Sequence, residues 1–372
     1  MRVLNLLTSG EAGGIESLCR DIGINSEYEN GFCFLFSEGA IYDQMNELGL
    51  KTYSLAGAKN KLSKFSIKKL RLLSKIARDY DIICVHHGEP FLKLYGMLVK
   101  LITGKKMVTV AHSCFDRRFF FPNNKIKFHF AHLIFALGLN YSDLIIFVSN
   151  AGKEAYEKEF GLKNKRKAVV YNGISTDKLL RGRDNVVPVT KPYKITYIGR
   201  LKNVKGVDYL IRAIARIKND YPISVSIVGD GPERDNLEEL SNDIGVRDIV
   251  SFEGRHTDVI PFLENTSVFV YPSVWKEVFG ISLVEAMAFG IPCVASDVGG
   301  IPEVVHDGKT GFLTSEANDE ALAEALRHAL DILDDEKLLE KISQDAKKKA
   351  ADFSITNTCK RLKEEYSGVV VG

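Results

Sequence analysis

Residues 268–295, VFVYPSVWKEVFGISLVEAMAFGIPCVA, have a pattern that indicates the class of fold. An apolar run that ends at Tyr271 predicts a buried strand, and the polar residues after it predict a loop. A helix is predicted from about Ser282 to Gly290, since glycine is favoured just after a helix C-terminus. A second apolar run, Pro292–Ala295, predicts the next strand. A strand, a helix and a strand in this order are typical of a parallel sheet.

The same alternation of strand-like and helix-like stretches runs through both halves of the chain. The strands predicted in the first half are Arg2–Leu7, Phe32–Phe36, Ile82–His86, Met107–Ala111, Leu144–Val148 and Ala168–Tyr171. Those predicted in the second half are Lys194–Ile198, Ser224–Val228, Ile249–Phe252, Val268–Tyr271 and Pro292–Ala295. This alternation predicts an α/β fold of two doubly wound, Rossmann-like domains. Because ligands bind beyond the carboxyl ends of parallel strands, we expect the site in the cleft between the domains.

Charge and turn residues indicate where the domains divide. Residues 1–190 hold 28 Lys and Arg against 18 Asp and Glu, whereas residues 191–372 hold 22 against 30. Opposite net charges indicate two domains that do different jobs, and the two prolines after residue 183 indicate a linker. The predicted segments are a first domain over 1–183, a linker over 184–192, a second domain over 193–350 and a helix over 351–372 that packs back toward the first domain.

Composition argues against several classes of protein. With 45% hydrophobic and 26% charged residues, the chain has enough apolar side chains for substantial cores and does not resemble a disordered protein. No run of about 20 apolar residues predicts a transmembrane helix, and the first residues predict a strand rather than a signal peptide. The six cysteines have no paired spacing, which argues against a disulfide framework or a zinc site and favours a reducing, cytosolic setting. An Asp-x-Asp sequence that chelates a metal and a nucleotide would follow a strand, whereas the Asp-Tyr-Asp sequence at 79–81 precedes one. We therefore expect no metal and no cofactor.

Two carboxylates flank a predicted anion site in residues 277–285, EVFGISLVE. Backbone N–H groups at a helix start bind anions, and Gly280 would let a phosphate approach them closely. Glu277 precedes this helix start, and Glu285 lies one turn inside the helix. Since carboxylates repel phosphate, their natural partners are hydroxyl groups, which a nucleotide sugar supplies at both ends. The alternative is two solvated acids on a surface helix.

Fixed positive charge is predicted in residues 199–206, GRLKNVKG, which follow the first strand of the second half. Arg200 can make a forked contact with an anion, while Lys205 acts as a point charge. Together they would neutralise a diphosphate leaving group without a metal. The alternative is a solvated loop with ordinary surface cations.

Glycine-rich loops follow two other predicted strands. Residues 10–16, GEAGGIE, contain the adjacent Gly13 and Gly14, which allow a backbone to approach a ligand. Residues 229–234, GDGPER, place Arg234 where the dinucleotide fingerprint G-x-G-x-x-G requires its third glycine. The fingerprint is absent from both loops, which weakens the alternative of a dinucleotide-dependent oxidoreductase.

Together, these motifs resemble the retaining GT-B glycosyltransferases, and more narrowly their family four of bacterial capsule, lipopolysaccharide and glycolipid enzymes. The resemblance is specific in residues 194–313, which include SDVGGIPEVV at 296–305, and weaker before residue 150. In the first half it rests on the glycine loop and on VAHS at 110–113, FVS at 147–149 and YNGI at 171–174. The family's acidic block usually begins Glu-Gly-Phe-Gly. A left-handed backbone at Val278, which replaces the first glycine here, would be costly.

The resemblance implies roles for individual residues. Glu285 would bind ribose hydroxyls, and Glu277 would bind hydroxyls of the donor sugar. The implied catalytic residues are His112, Glu277, Arg200 and Lys205. The implied donor-binding residues are Gly13, Gly14, Arg200, Lys205, Gly229, Arg255, Glu277, Phe279, Gly280, Ile281 and Glu285.

Histidines at strand ends are candidates for the acceptor side. By the same resemblance, His112 would line the reaction centre, and the alternative is a histidine satisfied by a nearby carbonyl. His86 and His87 end another predicted strand. With Arg117 and Arg118, they are predicted contacts for the acceptor.

A basic segment covers residues 59–75, KNKLSKFSIKKLRLLSK, with seven Lys and Arg and no acid. Leu62, Phe65, Leu70 and Leu73 fit roughly one helical stripe. A basic amphipathic helix predicts peripheral contact with an anionic membrane, here on the inner face of the cell membrane. The alternatives are a solvated helix that covers the sheet and, without any supporting motif, nucleic-acid binding.

These features predict an enzyme that moves a sugar from a nucleotide-sugar donor to a glycan or lipid-linked acceptor. The resemblance implies retention of configuration, a UDP-linked donor and a place in bacterial surface polysaccharide synthesis. Two alternatives share the architecture: a nucleotide-sugar 2-epimerase and a non-catalytic sugar-nucleotide-binding protein.

Overall fold

The computed structural model describes residues 1–11, 13–56, 65–86, 89–113, 125–162 and 165–371. The chain forms two compact units. The first unit comprises Met1–Gly173 together with Ile355–Gly372, and the second comprises Ile174–Ser354. No helix among the described residues combines the length and the apolar character needed to cross a membrane.

The first unit is a seven-stranded parallel sheet flanked by helices. Its strands are β1 (Arg2–Ser9), β2 (Glu29–Ser37), β3 (Lys51–Ser54), β4 (Ile82–His86), β5 (Lys106–Ala111), β6 (Leu144–Phe147) and β7 (Lys167–Val169). Its first six helices are α1 (Gly14–Asn25), α2 (Ala40–Glu47), α3 (Ile67–Ala77), α4 (Pro90–Thr103), α5 (Lys125–Tyr141) and α6 (Asn150–Phe160). The strand order is β3-β2-β1-β4-β5-β6-β7, so the direction of winding reverses between β1 and β4.

The second unit is a six-stranded parallel sheet with the same kind of winding. Its strands are β8 (Tyr193–Ile198), β9 (Ile223–Val228), β10 (Val250–Gly254), β11 (Val268–Tyr271), β12 (Cys293–Ser296) and β13 (Gly311–Thr314). Its helices are α7 (Thr176–Arg183), α8 (Val207–Ile217), α9 (Arg234–Asp243), α10 (Ile260–Glu264), α11 (Ile281–Ala288), α12 (Ile301–Val304), α13 (Asp319–Ile332) and α14 (Glu336–Asp352). The order β10-β9-β8-β11-β12-β13 reverses between β8 and β11.

Apolar strands between two layers of helices explain this architecture. Every residue of β11 is buried, as expected for a parallel strand covered on both faces. Helix α8 buries Leu210, Ile214 and Ile217 at helical spacing and packs against α13. The predicted α/β class with two doubly wound sheets is therefore confirmed.

The boundary between the units differs from the predicted one. The chain passes into the second unit after Gly173 rather than after residue 183, because α7 packs on α11 and α14. A Cβ at Gly182 would lie 2.3 Å from the Ala288 carbonyl oxygen, which shows how closely α7 and α11 approach. The last helix, α15 (Ile355–Val371), belongs to the first unit and packs on α1.

Candidate functional site

Two loops meet at the point where the winding of the second sheet reverses. The loop after β8 carries Arg200 and Lys205, and the loop after β11 carries Glu277. Such a reversal leaves a crevice beyond the strand ends, where ligands bind in doubly wound folds. Gly206 brings the two loops together: it adopts a φ of +64°, and a Cβ there would lie 2.0 Å from the Pro272 carbonyl oxygen.

Lys205 and Glu277 form an ion pair at this reversal. Lys205 Nζ lies 2.5 Å from Glu277 Oε1, and both side chains are largely shielded from solvent. The Ser273 hydroxyl is 2.9 Å from the same carboxylate oxygen and 3.0 Å from the Val204 carbonyl. Lys205 Nζ also lies 3.5 Å from the Tyr271 hydroxyl. The loops therefore hold one positive and one negative group in fixed positions.

Two buried tyrosines lie beside this ion pair. Burial, and then the Glu277 carboxylate, hold the pKa of Tyr271 well above its ordinary value. Burial likewise raises the pKa of Tyr197, whose hydroxyl donates a hydrogen bond to the Arg200 carbonyl at 3.1 Å. Both hydroxyls thus stay protonated at neutral pH.

Arg200 differs from Lys205 in its surroundings. Its side chain is exposed, and its guanidinium has no hydrogen-bond or ion-pair partner among the described residues. An exposed guanidinium at the carboxyl end of β8 is available to an anionic ligand.

The glycine-rich loop after β9 packs directly on the loop after β8. A Cβ at Gly229 would lie 1.8 Å from the Gly199 carbonyl oxygen, and one at Gly231 would lie 2.2 Å from the Leu201 carbonyl oxygen. The Leu201 N–H donates to the Asp230 carbonyl at 3.0 Å. Contact between the loops therefore explains both glycines without a ligand. Arg255, the predicted donor contact after β10, is exposed.

Helix α11 starts at the predicted anion site. Gly280 caps it with a φ of +89°, and the Leu283 N–H bonds back to the Gly280 carbonyl at 3.1 Å. The N–H groups of Ile281 and Ser282 come before that first helical bond and point out of the helix start. Phe279 is buried beside them and meets the Phe353 ring edge to face.

Val278 fits this loop without backbone strain. Among the described residues, only Ala317 combines a side chain with a left-handed φ. Val278 is therefore accommodated in an ordinary conformation, and its side chain is buried. The left-handed position in the acidic block is Gly280.

Glu285 has a partner that the sequence analysis did not identify. Its carboxylate is buried and forms an ion pair with Lys178 Nζ, from α7. The local signal was only a helix start, in which the Ser175 hydroxyl accepts a hydrogen bond from the Lys178 N–H. Because α7 was assigned to the first domain, no pattern connected Lys178 with Glu285.

In the first unit, the structure brings two predicted histidines together. His86 Nδ1 lies 3.0 Å from His112 Nε2, and the rings stack at 5.3 Å between centroids. His112 is therefore satisfied on one side by His86, not by a backbone carbonyl. Burial lowers the pKa of His86 to about 4. Burial, with a smaller effect of His86, lowers the pKa of His112 well below its usual value.

The remaining predicted residues are distributed as follows. Gly13 caps α1, and Gly14 is its first residue. His87, Arg117 and Arg118 lie outside the described residues. In the parts of the chain that the structure describes, no group of three or more His, Cys, Asp and Glu side chains is arranged to hold a metal ion.

The predicted membrane stripe in residues 59–75 faces the protein interior where it is described. Phe65, Leu70 and Leu73 pack into the core of the first unit, and Leu62 lies outside the described residues. The charged side chains Lys68, Arg71 and Lys75 are exposed. This helix therefore covers the sheet, because its apolar face is needed for the core.

Comparison with known proteins identifies the family that this chain resembles. Residues 33–178 match the model of the family described as Glycosyltransferase Family 4, and residues 182–349 match Glycosyl transferases group 1. The chain is 31% identical over 290 residues to N-acetyl-alpha-D-glucosaminyl L-malate synthase of Bacillus anthracis, covering 72% of this chain and 71% of that protein. It is 30% identical to D-inositol 3-phosphate glycosyltransferase of Corynebacterium urealyticum, over 60% of this chain and 56% of that protein.

Similarity to solved structures extends over almost the whole chain. The Anabaena protein HepE in complex with UDP superposes with a TM-score of 0.81 at 22% identity, over 99% of this chain and 100% of that one. A glycosyltransferase from Rickettsia africae superposes with a TM-score of 0.80 at 18% identity, over 99% and 98% of the two chains. These similarities confirm the predicted GT-B fold.

Proposed function

The chain belongs to the group 1 and family 4 glycosyltransferases, and we propose the transfer that it catalyses. It moves a hexosyl or N-acetylhexosaminyl group from a UDP-linked donor to a glycan or lipid-linked acceptor, with retention of configuration. We place the reaction in bacterial surface polysaccharide synthesis. The choice of UDP is supported by the UDP complex of the similar Anabaena protein, and that of an N-acetylhexosamine by the name of the Bacillus relative.

The observation that carries this proposal is the Lys205–Glu277 ion pair at the reversal of the second sheet. A nucleotide sugar has an anionic diphosphate joined to a neutral, hydroxyl-rich ring, and the pair offers one complementary group for each part. The Lys205 ammonium would turn to the diphosphate, while the Glu277 carboxylate would accept a hydrogen bond from a sugar hydroxyl. Glu277 would also compensate Lys205 in the empty enzyme, so that neither charge is left unpaired.

The chemical step follows from these charges. The bond between the anomeric carbon and the diphosphate oxygen breaks, and the bonding electrons leave with the diphosphate. The acceptor hydroxyl attacks on the same face, and its proton passes to the departing phosphate oxygen. Lys205, Arg200 and the first N–H groups of α11 would stabilise the negative charge that develops there. Fixed charges of this kind need no reorganisation during the reaction, which is why they lower the barrier.

Replacing Lys205 tests the proposal. We expect Lys205→Ala to reduce turnover at least a hundredfold, since removing one fixed stabilising group typically raises a barrier by about 2–4 kcal/mol. Lys202→Ala is the matched control, because Lys202 lies exposed on the same loop and makes no contact with Glu277. Turnover is measured as UDP release with a lipid-extract or glycan acceptor panel. Near-normal turnover of a folded Lys205→Ala protein would contradict the assignment.

The donor is identified by a thermal-shift panel of UDP, GDP, UDP-glucose and UDP-N-acetylglucosamine. A ligand at a hundred times its dissociation constant adds about 2.7 kcal/mol to the free energy of unfolding. The nucleotide with the preferred base should therefore give the largest increase in melting temperature. Incubation of the stabilising nucleotide sugar without any acceptor separates transfer from epimerisation, because an epimerase would give a new nucleotide sugar in that mixture. The proposal is refuted if no nucleotide sugar stabilises the protein.

For the membrane, we propose a contact surface on α5 instead of the segment at 59–75. This α5 face comprises Ile126, Phe130, Leu133, Leu137 and Tyr141, which are all exposed and follow one another at intervals of three or four residues. That spacing puts them on a single face of the helix, and α5 contains no acidic residue. An exposed apolar stripe without acidic residues suits the surface of an anionic bilayer.

Vesicle binding tests the α5 face against a matched pair of residues. Ile126 and Leu133 are 83% and 54% exposed, and Val186 and Leu180 in the second unit have the same two values. We expect Ile126→Ser with Leu133→Ser to abolish cosedimentation with phosphatidylglycerol vesicles, and Val186→Ser with Leu180→Ser to leave it unchanged. Equal binding by both double variants would refute the α5 face. Self-association that only the first pair abolishes would assign the face to a second copy of the chain instead.

A further inference from the structure

A chain of hydrogen bonds runs across the first sheet to His112. Asn30 on β2 accepts from Asn5 on β1 at 2.9 Å, through Oδ1 and Nδ2 respectively. Asn5 Oδ1 lies 2.9 Å from His86 Nε2 on β4, and His86 Nδ1 lies 3.0 Å from His112 Nε2, just past β5. Asn5 and His86 are buried, so water does not compete for these bonds.

Backbone carbonyls determine which groups donate and which accept at the start of this chain of hydrogen bonds. The Asn5 amide nitrogen also lies 3.3 Å from the Gly31 carbonyl, and the Asn30 amide nitrogen lies 3.2 Å from the Tyr28 carbonyl. A carbonyl oxygen only accepts hydrogen bonds, so both NH₂ groups must face these carbonyls. The Asn5 side-chain oxygen is thereby turned toward His86.

The direction determines the tautomer of each histidine. Since the Asn5 oxygen only accepts, His86 Nε2 must carry a hydrogen. Burial lowers the pKa of His86 to about 4, so the ring is neutral at pH 7 and its Nδ1 is a bare acceptor. His112 Nε2 must therefore donate to it. Because burial also keeps His112 neutral, its Nδ1 is left without a hydrogen.

The neighbouring thiols agree with this assignment. Cys19 Sγ lies 3.5 Å from His86 Nδ1, and Cys84 Sγ lies 3.5 Å from His86 Nε2. Burial raises the pKa of both thiols, so neither is an anion that would draw a proton onto His86. The polar side chains that face His86 are thus all neutral at pH 7.

His112 Nδ1 is a hydrogen-bond acceptor at the end of this chain of hydrogen bonds. It is buried, and no described residue donates a hydrogen bond to it. We propose that Asn5 and His86 are positioning residues that hold His112 in the Nε2–H tautomer, so that Nδ1 accepts a hydrogen bond from a hydroxyl group of the sugar substrate. The role of the substrate rests on the proposed transferase function, whereas the tautomer does not. A buried acceptor without a donor is unfavourable, and a bound hydroxyl would satisfy it.

The tautomer is measured directly by nitrogen-15 NMR of the protein labelled at histidine. The chain has eight histidines, and the two signals are assigned by their loss in His86→Gln and His112→Gln. At pH 7 we expect both rings to be neutral, with a protonated Nε2 and a bare Nδ1. A proton on Nδ1 of His112 would overturn the proposal whether or not the protein transfers sugar.

The effect on the reaction is tested with Asn5→Leu. This change removes the acceptor that orders His86, so both rings can adopt either tautomer, and we expect kcat/KM to fall about tenfold, which corresponds to one hydrogen bond. Thr109→Val is the matched control. It removes a buried hydrogen bond, from Thr109 to Ser142, in the same sheet outside this chain of side chains. Unchanged kcat/KM with a mixed His112 tautomer in Asn5→Leu would refute positioning. If the wild type has the expected tautomer but no transferase activity, the proposed function fails and the tautomer assignment stands.

Discussion

At the scale of single residues, Lys93 is an amine that the first unit buries with no hydrogen-bond partner among the described residues. It lies 4.8 Å from the centre of the Phe135 ring, and burial lowers its pKa to about 7. We expect Lys93→Met, which keeps the unbranched shape, to raise the free energy of unfolding at pH 7 by about 1–3 kcal/mol. Urea unfolding followed by circular dichroism measures the change, and a destabilised Lys93→Met would show that the ammonium is needed.

The same lysine predicts a dependence of stability on pH. Its pKa is lowered from an ordinary 10.5 to about 7 in the folded protein, so between these values the unfolded chain binds more protons than the folded one. The contribution of Lys93 to the free energy of unfolding therefore increases as the pH rises through this window. Below about pH 7, Lys93 does not make the free energy of unfolding depend on pH. Lys93→Met should remove this slope. Parallel stability curves for the two proteins between pH 7 and 9 would show that Lys93 is not neutral when buried.

Single residues also show how far a sequence defines the candidate site. Lys205 and Glu277 were both predicted, because a glycine turn and a helix start are local patterns. Lys178 was missed, because its contact with Glu285 joins residues 107 positions apart and depends on how α7 packs on α11. The His86–His112 contact likewise depends on which strands are neighbours, and each histidine alone indicated only a strand end.

At the scale of elements, the loop after β8 depends on one glycine for its position. Gly206 and Gly308 have almost the same left-handed conformation, with φ values of +64° and +67°. They differ in space: a Cβ at Gly206 would lie 2.0 Å from the Pro272 carbonyl oxygen, whereas a Cβ at Gly308 meets nothing within 4 Å. We expect Gly308→Ala to cost about 1–2 kcal/mol from its backbone conformation alone. Gly206→Ala should cost more and also move Lys205 away from Glu277, with a loss of turnover.

The single tryptophan makes this pair of variants easy to compare. Trp275 is the one tryptophan in the chain and lies in the loop after β11, close to Pro272. Its emission should change in folded Gly206→Ala and stay as in the wild type in Gly308→Ala. Equal losses of stability and activity in both variants would mean that the backbone conformation, and not the contact with Pro272, determines the effect.

Apolar runs in the sequence explain which strands were predicted. All eleven predicted strands are present, and the central ones, such as β4 and β11, are buried along their whole length. The strands β3 and β13 were not predicted. Each has four residues at the edge of its sheet, with the sequences KTYS and GFLT. Both sequences mix polar with apolar residues over only four positions, so they carry little hydrophobic signal.

At the scale of the whole molecule, the first unit is built from two separate segments of the chain. The chain completes the second unit at Ser354 and then returns as α15 to the first. The sequence pattern predicted a helix at 351–372, but it did not identify the residues that contact α15. They belong to α1, β4 and the segment before β2, far away in sequence.

Tyr366 is the residue of α15 on which this return depends. It is almost fully buried, its hydroxyl lies 3.3 Å from Cys84 Sγ on β4, and its ring meets the Tyr28 ring edge to face at 5.7 Å. Removing a buried aromatic side chain typically costs about 3–5 kcal/mol, so we expect Tyr366→Ala to destabilise the first unit by this amount. Lys360→Ala, at an exposed position of the same helix, should have little effect. Hydrogen exchange locates the change: peptides from α1 and β4 should exchange faster in Tyr366→Ala, and faster exchange confined to the second unit would contradict the assignment of α15 to the first.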